Sequence, residues 1–194
     1  MSRWTRLGMN LWWMCEKRGR KAIRVSQTPF WRKEGSVNMP LVYADSSVLF
    51  AWFHPRDEFS AAVDTAVQKH SPDFVYWPFL RFELRHNLRL SRVNSHGEVA
   101  WRALRAAEKT TSRLRWQPEL TADKMLDAAE ELSADKSSKF DCGSADYLHV
   151  AAARRLSLLN EIDEFWTCDA AQAALAKAAS LKTRLFERRR PAQG

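Results

Sequence analysis

Four acidic residues occupy positions where burying a carboxylate costs free energy or where a carboxylate could take part in catalysis. Asp45 closes the first apolar run that predicts a strand, and Asp169 directly follows a later run of the same kind. Glu83 interrupts an apolar helical segment, and Asp146 lies in the first turn of a predicted helix capped by Ser144. Because an unpaired buried carboxylate costs several kcal/mol, these four acids indicate a site. Carboxylate oxygens are ligands that Mg²⁺ prefers.

Each acid also has an ordinary structural explanation. Asp45 and Asp169 are of the residue type preferred at helix N-caps, and for either one taken singly this is the more frequent role. Asp146 is placed to complement a helix dipole. Glu83 has basic neighbours within one helical turn, so an ion pair on a solvated face would also account for it.

Metal-assisted hydrolysis is the chemistry that such a set of oxygens favours. A bound Mg²⁺ or Mn²⁺ ion lowers the pKa of a water ligand and shields the charge that builds on phosphorus. This chemistry needs no side-chain nucleophile, and the sequence has no Ser-His-Asp or Cys-His signature. His86 and His149 follow Glu83 and Asp146 by three residues. Two imidazoles without a third nitrogen or sulfur ligand do not predict a zinc site, so we expect packing or support of the carboxylates.

Strand-like and helix-like segments alternate from Met39 onward. Strands are predicted at 41–44, 74–77, 164–168 and 181–186, with 116–120 a connector or a short strand. Helices are predicted at 48–53, 57–69, 78–88, 97–114, 121–135, 145–156 and 170–179. This alternation predicts an α/β fold of three layers, in which helices flank a mainly parallel central sheet. Ligands of such sheets bind beyond the carboxyl ends of the strands, where Asp45 and Asp169 fall.

The first 38 residues differ from the rest in charge and pattern. They carry nine Lys and Arg against two Glu, so residues 39–194 are close to neutral although the whole chain has a net charge of +8. Four of the nine tryptophans also lie there, without a helical or strand period. A basic arm that binds RNA, an arm that lies on an anionic membrane surface, and a disordered or non-native segment are the three interpretations, of which the last is favoured. We therefore expect a domain at 39–187 and a basic tail at 188–194.

Composition excludes several classes of protein. The chain has 194 residues, enough for one domain with a sizeable core. Its six glycines form neither a dinucleotide-binding nor a P-loop motif. The three cysteines have no disulfide or metal spacing, which predicts a reducing cytoplasm, and no apolar run is long enough to cross a membrane. A dehalogenase-like phosphatase would need an aspartate where Ser47 stands, and no acid pair indicates a phosphoacceptor receiver domain.

Four segments together resemble a known family. The sequence is similar to PIN-domain ribonucleases, and most similar to the VapC toxins of bacterial toxin–antitoxin pairs, over about residues 40–186. The segments that carry the resemblance are Val42–Leu49, Phe82–Arg85, Ser144–Ala153 and Phe165–Gln172.

The resemblance implies a function and a site. Asp45, Glu83, Asp146 and Asp169 match the acidic quartet that holds Mg²⁺ or Mn²⁺ in this family. Family proteins cleave RNA phosphodiester bonds and are usually homodimers. A cognate antitoxin blocks the toxin by placing its tail in the acidic groove, so an antitoxin partner is also expected.

Two hydroxyl positions match the family pattern, and two features depart from it. Ser47 matches the hydroxyl after the first acid, and Thr167 matches the hydroxyl before the last. The 38-residue preface is foreign to the compact toxin layout, which favours a start at Met39, and out-of-frame antitoxin sequence is one explanation of it. Asp141 is an extra acid near the quartet, either supporting it or belonging to an ordinary loop.

A basic stripe on the Glu83 helix is the candidate RNA-binding feature. Arg81, Arg85 and Arg89 recur at intervals of four, which places them on one helix face. A solvated face of a surface helix is an equally weighted interpretation. Arg92 continues the stripe after a further three residues, and Arg102, Arg105, Arg113 and Arg115 are candidates for a rim. The alternative to a nuclease is a non-catalytic PIN-like scaffold that binds RNA or a protein.

Overall fold

A computed structural model describes residues 39–110, 113–136 and 139–188. The predicted extension at 1–38 and all but the first residue of the predicted tail at 188–194 lie outside the described residues. The strands are β1 (Leu41–Ala44), β2 (Asp73–Tyr76), β3 (Leu114–Trp116), β4 (Glu164–Thr167) and β5 (Thr183–Leu185). The helices are α1 (Ser46–Phe53), α2 (Ser60–His70), α3 (Pro78–Ser91), α4 (Ser95–Ala107), α5 (Ala122–Lys136), α6 (Ser144–Leu158) and α7 (Ala170–Ala178).

The five strands form one parallel sheet in the order β3-β2-β1-β4-β5. This confirms the predicted α/β class. The central strands are apolar because helices cover both faces of a parallel sheet. Every residue of β1 is buried, and the largest fully buried side chains include Trp77 and Trp166. Within the described residues, no helix is both long and apolar enough to cross a membrane.

The prediction of one helix over 97–114 is wrong at its end. Helix α4 ends at Ala107, and Leu114–Trp116 forms the edge strand β3. The register pairs Phe74 with Leu114 and Tyr76 with Trp116. A short strand that contains an arginine has little local signal, and its pairing with β2 supplies the hydrogen bonds that determine it.

The turn between α3 and α4 requires a glycine. Asn94 caps α4 by accepting a hydrogen bond from the backbone N–H of Gly97 at 2.9 Å. A Cβ atom at position 97 would overlap the backbone carbonyl of Ser91. The two helices therefore approach closely only because residue 97 has no side chain.

Helix α2 ends in a strained residue that offers a test of the fold. Ser71 has φ 45° and ψ 47°, in the left-handed region, which costs a non-glycine residue roughly 1 kcal/mol. We expect Ser71→Gly to raise the free energy of unfolding by about 0.5 kcal/mol, since part of the gain is offset by backbone entropy. Urea denaturation followed by circular dichroism measures this change.

The matched control is Gln68→Gly, in the exposed part of the same helix. Its backbone is helical, so glycine there should lower stability by about 0.5–1 kcal/mol. If both variants destabilise the protein equally, the left-handed conformation of Ser71 is not a source of strain.

Candidate active site at the carboxyl edge of the sheet

The adjacency of β1 and β4 brings two of the predicted acids to one edge. Asp45 follows β1 and Asp169 follows Cys168, one residue after β4. The two strands pair directly, and the backbone N–H of Asp45 donates to the carbonyl of Trp166 at 3.1 Å. Because parallel strands end on the same side, both carboxylates lie at the edge where α/β proteins bind ligands.

Asp45 is a buried carboxylate held by three donors. One oxygen, Oδ1, accepts from the Ser47 hydroxyl at 2.7 Å and from the backbone N–H of Val48 at 3.0 Å. The other, Oδ2, accepts from the Thr167 hydroxyl at 2.8 Å. Burial raises the pKa of Asp45, and the hydrogen bonds from Ser47, Val48 and Thr167 oppose that shift. Asp45 therefore caps α1, although burying its ionised carboxylate remains costly in free energy.

A glutamine that sequence reasoning missed connects three of the acidic positions. Gln172 is 1% exposed. Its backbone N–H donates to Asp169 Oδ1 at 2.9 Å, and its side-chain Nε2 donates to Asp146 Oδ1 at 3.0 Å. Its Oε1 is 2.7 Å from the hydroxyl of Thr167, which also contacts Asp45. The one signal in the sequence is a polar residue three positions after Asp169 in an otherwise alanine-rich helix.

Protonation of Asp45 would satisfy the hydrogen-bonding groups around Thr167. The Thr167 hydroxyl has one proton, but two acceptors lie within 2.8 Å of it, Asp45 Oδ2 and Gln172 Oε1. Gln172 cannot rotate its amide without losing its bond to Asp146. If Asp45 is protonated, it donates to Thr167, and Thr167 then donates to Gln172. The geometry therefore agrees with the raised pKa of Asp45.

Asp146 shows most directly that the acids lie close to one another. Its Oδ2 accepts from the backbone N–H of Gly143 at 2.8 Å, at the start of α6. Burial raises the pKa of Asp146, and the negative charges of Asp169 and Glu83 raise it further. The three carboxylates are therefore close enough to destabilise one another when all are ionised.

Glu83 is held by a buried relay of three side chains. His149 Nε2 lies 2.7 Å from Glu83 Oε2, and the Tyr43 hydroxyl lies 2.9 Å from His149 Nδ1. Trp77 Nε1, which can only donate, donates to the Tyr43 oxygen at 2.7 Å. In the neutral imidazole, a Tyr43 proton shared with Nδ1 leaves the proton of His149 on Nε2, facing Glu83. Burial raises the pKa of Glu83, but the hydrogen bond and the electrostatic attraction of His149, together with a hydrogen bond from Ser46, outweigh it, and the pKa is lowered overall.

The relay also decides between the alternatives for the histidines and for Glu83. Both ring nitrogens of His149 have hydrogen-bond partners, so this ring supports Glu83 and offers no free nitrogen to a zinc ion. His86 stacks on Phe82 and is exposed. Glu83 pairs with His149, and not with an arginine of its own helix.

Exposure increases across the site, from buried Asp45 through half-buried Glu83 and Asp146 to exposed Asp169. Asp141 is exposed as well. Burial raises the pKa of the Cys142 thiol to about 11, and the charges of the neighbouring aspartates, including Asp141, add to the shift. The site is thus a cluster of negative charge whose exposed end, at Asp169, faces solvent.

The oxygen set of the site suits a hydrated divalent cation. Within residues 39–110, 113–136 and 139–188, no three Asp, Glu, His or Cys side chains are arranged to hold a metal ion directly. The carboxylates instead accept hydrogen bonds from helix starts and from Gln172. Their chemistry nevertheless fits Mg²⁺, which prefers oxygen ligands and keeps several waters. A hydrated ion needs only one or two direct carboxylates, and waters reach the others.

The three arginines predicted to bind RNA have different surroundings. The Arg81 guanidinium lies 4.7 Å from the centre of the Trp116 ring, and that of Arg89 lies 5.2 Å from the Trp101 ring. Arg85 makes a bidentate ion pair with Glu108, at 2.8 and 2.7 Å. Arg85 is therefore a structural link between α3 and the end of α4, whereas Arg89 is exposed.

Comparison with known proteins supports the architecture alone. No protein-family model and no curated protein sequence matches this chain. Among solved structures, the crystal structure of VapBC2 from Rickettsia felis, bound to a DNA fragment from their promoter, is similar with a TM-score of 0.51. The sequence identity is 13%, and the match covers 75% of this chain and 98% of that chain. The fold is PIN-like.

The buried carboxylate of Asp45 leads to a test of the site electrostatics. Asp45→Asn retains an oxygen for Ser47 and Val48, and its new amide can donate to Thr167. We expect the metal-free variant to be at least as stable as the wild type at pH 8. Each kcal/mol of burial cost that the substitution removes raises the melting temperature by roughly 2–4 °C.

The pH dependence of this difference has a defined sign. The folded-state pKa of Asp45 lies above its unfolded value, so wild-type stability falls as pH rises through the raised pKa. The advantage of Asp45→Asn should therefore shrink as the pH is lowered, when the wild-type carboxyl takes up its proton. Differential scanning calorimetry with EDTA from pH 5 to 8 measures this. A variant that unfolds at every pH would show that Asp45 is a structural cap.

Proposed function

We propose that this protein is a metal-dependent ribonuclease that hydrolyses RNA phosphodiester bonds. The observation that supports this most is the arrangement of Asp45, Asp146 and Asp169 around Gln172, with Glu83 within electrostatic reach of Asp146. Carboxylates held close together without a cation destabilise the fold. Their arrangement therefore indicates a ligand whose charge compensates theirs. The resemblance of the sequence to PIN-domain ribonucleases supports the same activity.

The proposed site divides its tasks among the four acids. Bound Mg²⁺ or Mn²⁺ would supply an activated water and neutralise charge at the phosphate. Asp45, Asp146, Asp169 and Glu83 would hold the ion. Glu83 stays ionised because the proton on His149 Nε2 faces it.

The polar side chains around the acids keep their orientations. Thr167 and Ser47 fix Asp45. Gln172 orients Asp146 and, through its backbone N–H, Asp169.

The biological role that we propose is that of the toxin of a toxin–antitoxin pair. The similar structure is that of VapBC2, and the sequence segments around the four acids resemble VapC toxins. We accordingly propose a cognate antitoxin as a partner, a homodimer as the working form, and the cytoplasm as the compartment. The cluster of negative charge, exposed at Asp169, would accept a basic antitoxin tail as readily as a hydrated cation.

Cleavage of labelled RNA tests the activity. We expect hydrolysis with Mg²⁺ or Mn²⁺ and none with EDTA. Asp45→Asn and Asp169→Asn should each reduce the rate at least about 100-fold, since each removes a charged ligand oxygen. Asparagine also caps helices well, so both variants should keep their circular dichroism spectra.

The matched control for cleavage is Asp127→Asn, on an exposed position of α5. It should cut at the wild-type rate. Cleavage that persists in EDTA, or in both site variants, would contradict the proposal. An additional check is that Mg²⁺ raises the melting temperature of the wild type but not that of Asp45→Asn.

The arginine stripe gives a separate test of RNA binding. Arg89→Gln should weaken RNA binding. It should also reduce the slope of log affinity against log salt concentration by about 0.7 for each phosphate that the protein no longer neutralises.

Arg85→Gln should also lower protein stability, because Glu108 then keeps only Arg105 as a cationic partner. Arg155→Gln, exposed near the end of α6 and outside both the stripe and the rim, is the control. Fluorescence anisotropy at low and at high salt measures the slopes, and an unchanged slope for Arg89→Gln would assign this arginine to solvent.

A non-catalytic scaffold is the second candidate. The observation that favours it is the lack of a preassembled three-ligand metal group among the described residues. On this alternative, RNA or a protein partner would bind without being cut. Binding of RNA that is unaffected by Mg²⁺, together with intact RNA after long incubation, would favour it.

A further inference from the structure

An exposed tryptophan ends the edge strand at the carboxyl side of the sheet. Trp116, the last residue of β3, is 44% exposed. The equivalent last residues of β1, β2 and β4, which are Ala44, Tyr76 and Thr167, are all buried. Among the ends of these four strands, Trp116 is therefore the one that offers an aromatic surface to a ligand.

A cavity of about 190 Å³ lies against this indole. Its lining includes Tyr76, Arg81, Arg85, Glu108 and Trp116. Tyr76 packs at 6.0 Å from the Trp116 ring with an interplanar angle of 59°. The hydroxyl of Tyr76 donates to Glu108 at 2.7 Å. The polar groups on this side are therefore satisfied within the fold, which leaves the indole as the accessible apolar surface.

The charges around the cavity favour an anionic ligand. Glu108 is neutralised by Arg85 and Arg105, at 2.7 and 2.8 Å. Arg81 takes part in no ion pair with the carboxylates of the described residues, and its guanidinium lies 4.7 Å from the centre of the Trp116 ring. A planar aromatic surface beside a cation that lacks a carboxylate partner is the combination that binds a base together with its phosphate.

The strand register places the end of β3 two strands away from the end of β1, at the edge of the sheet where the acids lie. Trp116 pairs with Tyr76, and the pairing of Val42 with Phe74 sets Ala44 opposite Tyr76. Ala44 is the residue before Asp45. Two strand spacings, about 10 Å of backbone, therefore separate Trp116 from the start of the acidic site. A nucleotide beside the cleaved one would reach it.

We propose that Trp116 and Arg81 form a nucleobase-stacking subsite for single-stranded RNA. This inference rests on the proposed ribonuclease function and names how its substrate is held. One base stacks on the exposed indole, and Arg81 contacts the adjoining phosphate. Because every base has a flat π face, the subsite sets the position of the strand over the acids and gives little base preference.

An abasic walk along an RNA tests this subsite. The probe is a fluorescein-labelled 12-nucleotide uridine oligomer in which one abasic residue is moved from position to position. Binding is measured by anisotropy with the full chain carrying Asp45→Asn, in EDTA. One position should cost about 5- to 160-fold in affinity, since that is the range for removing a base–aromatic stack. Adding Trp116→Ala should lower the affinity for the intact oligomer by a similar factor and make the profile flat at that position.

Two further variants separate stacking from folding. Trp116→Phe keeps a ring and should restore most of the affinity and the position-dependent profile. Phe82→Ala removes another exposed aromatic residue, 64% exposed on α3, and should leave the profile unchanged. Melting temperatures of all variants should agree within a few degrees.

The possible failures point to different conclusions. If Trp116→Ala binds the intact oligomer as the parent does, with the same abasic profile, the subsite does not exist, even if cleavage by the wild type is Mg²⁺-dependent. A Trp116→Ala chain with unchanged RNA binding but an altered oligomeric state would assign the indole to a protein interface and overturn the proposal. If the parent chain binds no RNA and the wild type cuts none, both the subsite and the ribonuclease function are wrong.

Discussion

The structure depends on keeping four carboxylates close together, one of which is buried. Asp45 is buried against two hydroxyls and a backbone N–H, and Gln172 links its neighbourhood to Asp146 and Asp169. These donors offset the cost of burying Asp45 and hold the acids in place although the charges of Asp169 and Glu83 destabilise ionised Asp146. Asp45 and Asp169 also begin helices α1 and α7. The same carboxylate oxygens therefore cap the helices and are available to a ligand. A cation that binds them would compete with the capping hydrogen bonds.

The parallel sheet provides the geometry for this constraint. All strand pairings among the described residues are parallel, so every strand ends at the same edge. Helix α6 carries Asp146 and His149 to this edge, and helix α3 carries Glu83 to it. The buried relay from Trp77 through Tyr43 to His149 connects the core to Glu83. Disturbing the core would therefore disturb the ionisation of the site.

Sequence patterns predicted most elements because their signals are local. Apolar runs give the buried strands, and an acid or amide before a helical run gives its start. The edge strand at Leu114–Trp116 was placed too late, as a connector or short strand at 116–120, because three residues with a central arginine carry no periodic signal. Gln172 was missed for a different reason: a lone glutamine in an alanine-rich helix resembles a solvated residue until the fold buries it.

The amino-acid sequence alone determined the α/β class and the four acids that merit attention, since both follow from neighbours a few residues apart. Tertiary structure decided which partners those acids have. The contact of Glu83 with His149 spans 66 residues, and that of Asp45 with Thr167 spans 122. Such contacts depend on strand order and helix packing, which no local pattern encodes. For the same reason only the fold could show that Arg85 is bound to Glu108, whereas Arg81 lies over an exposed indole.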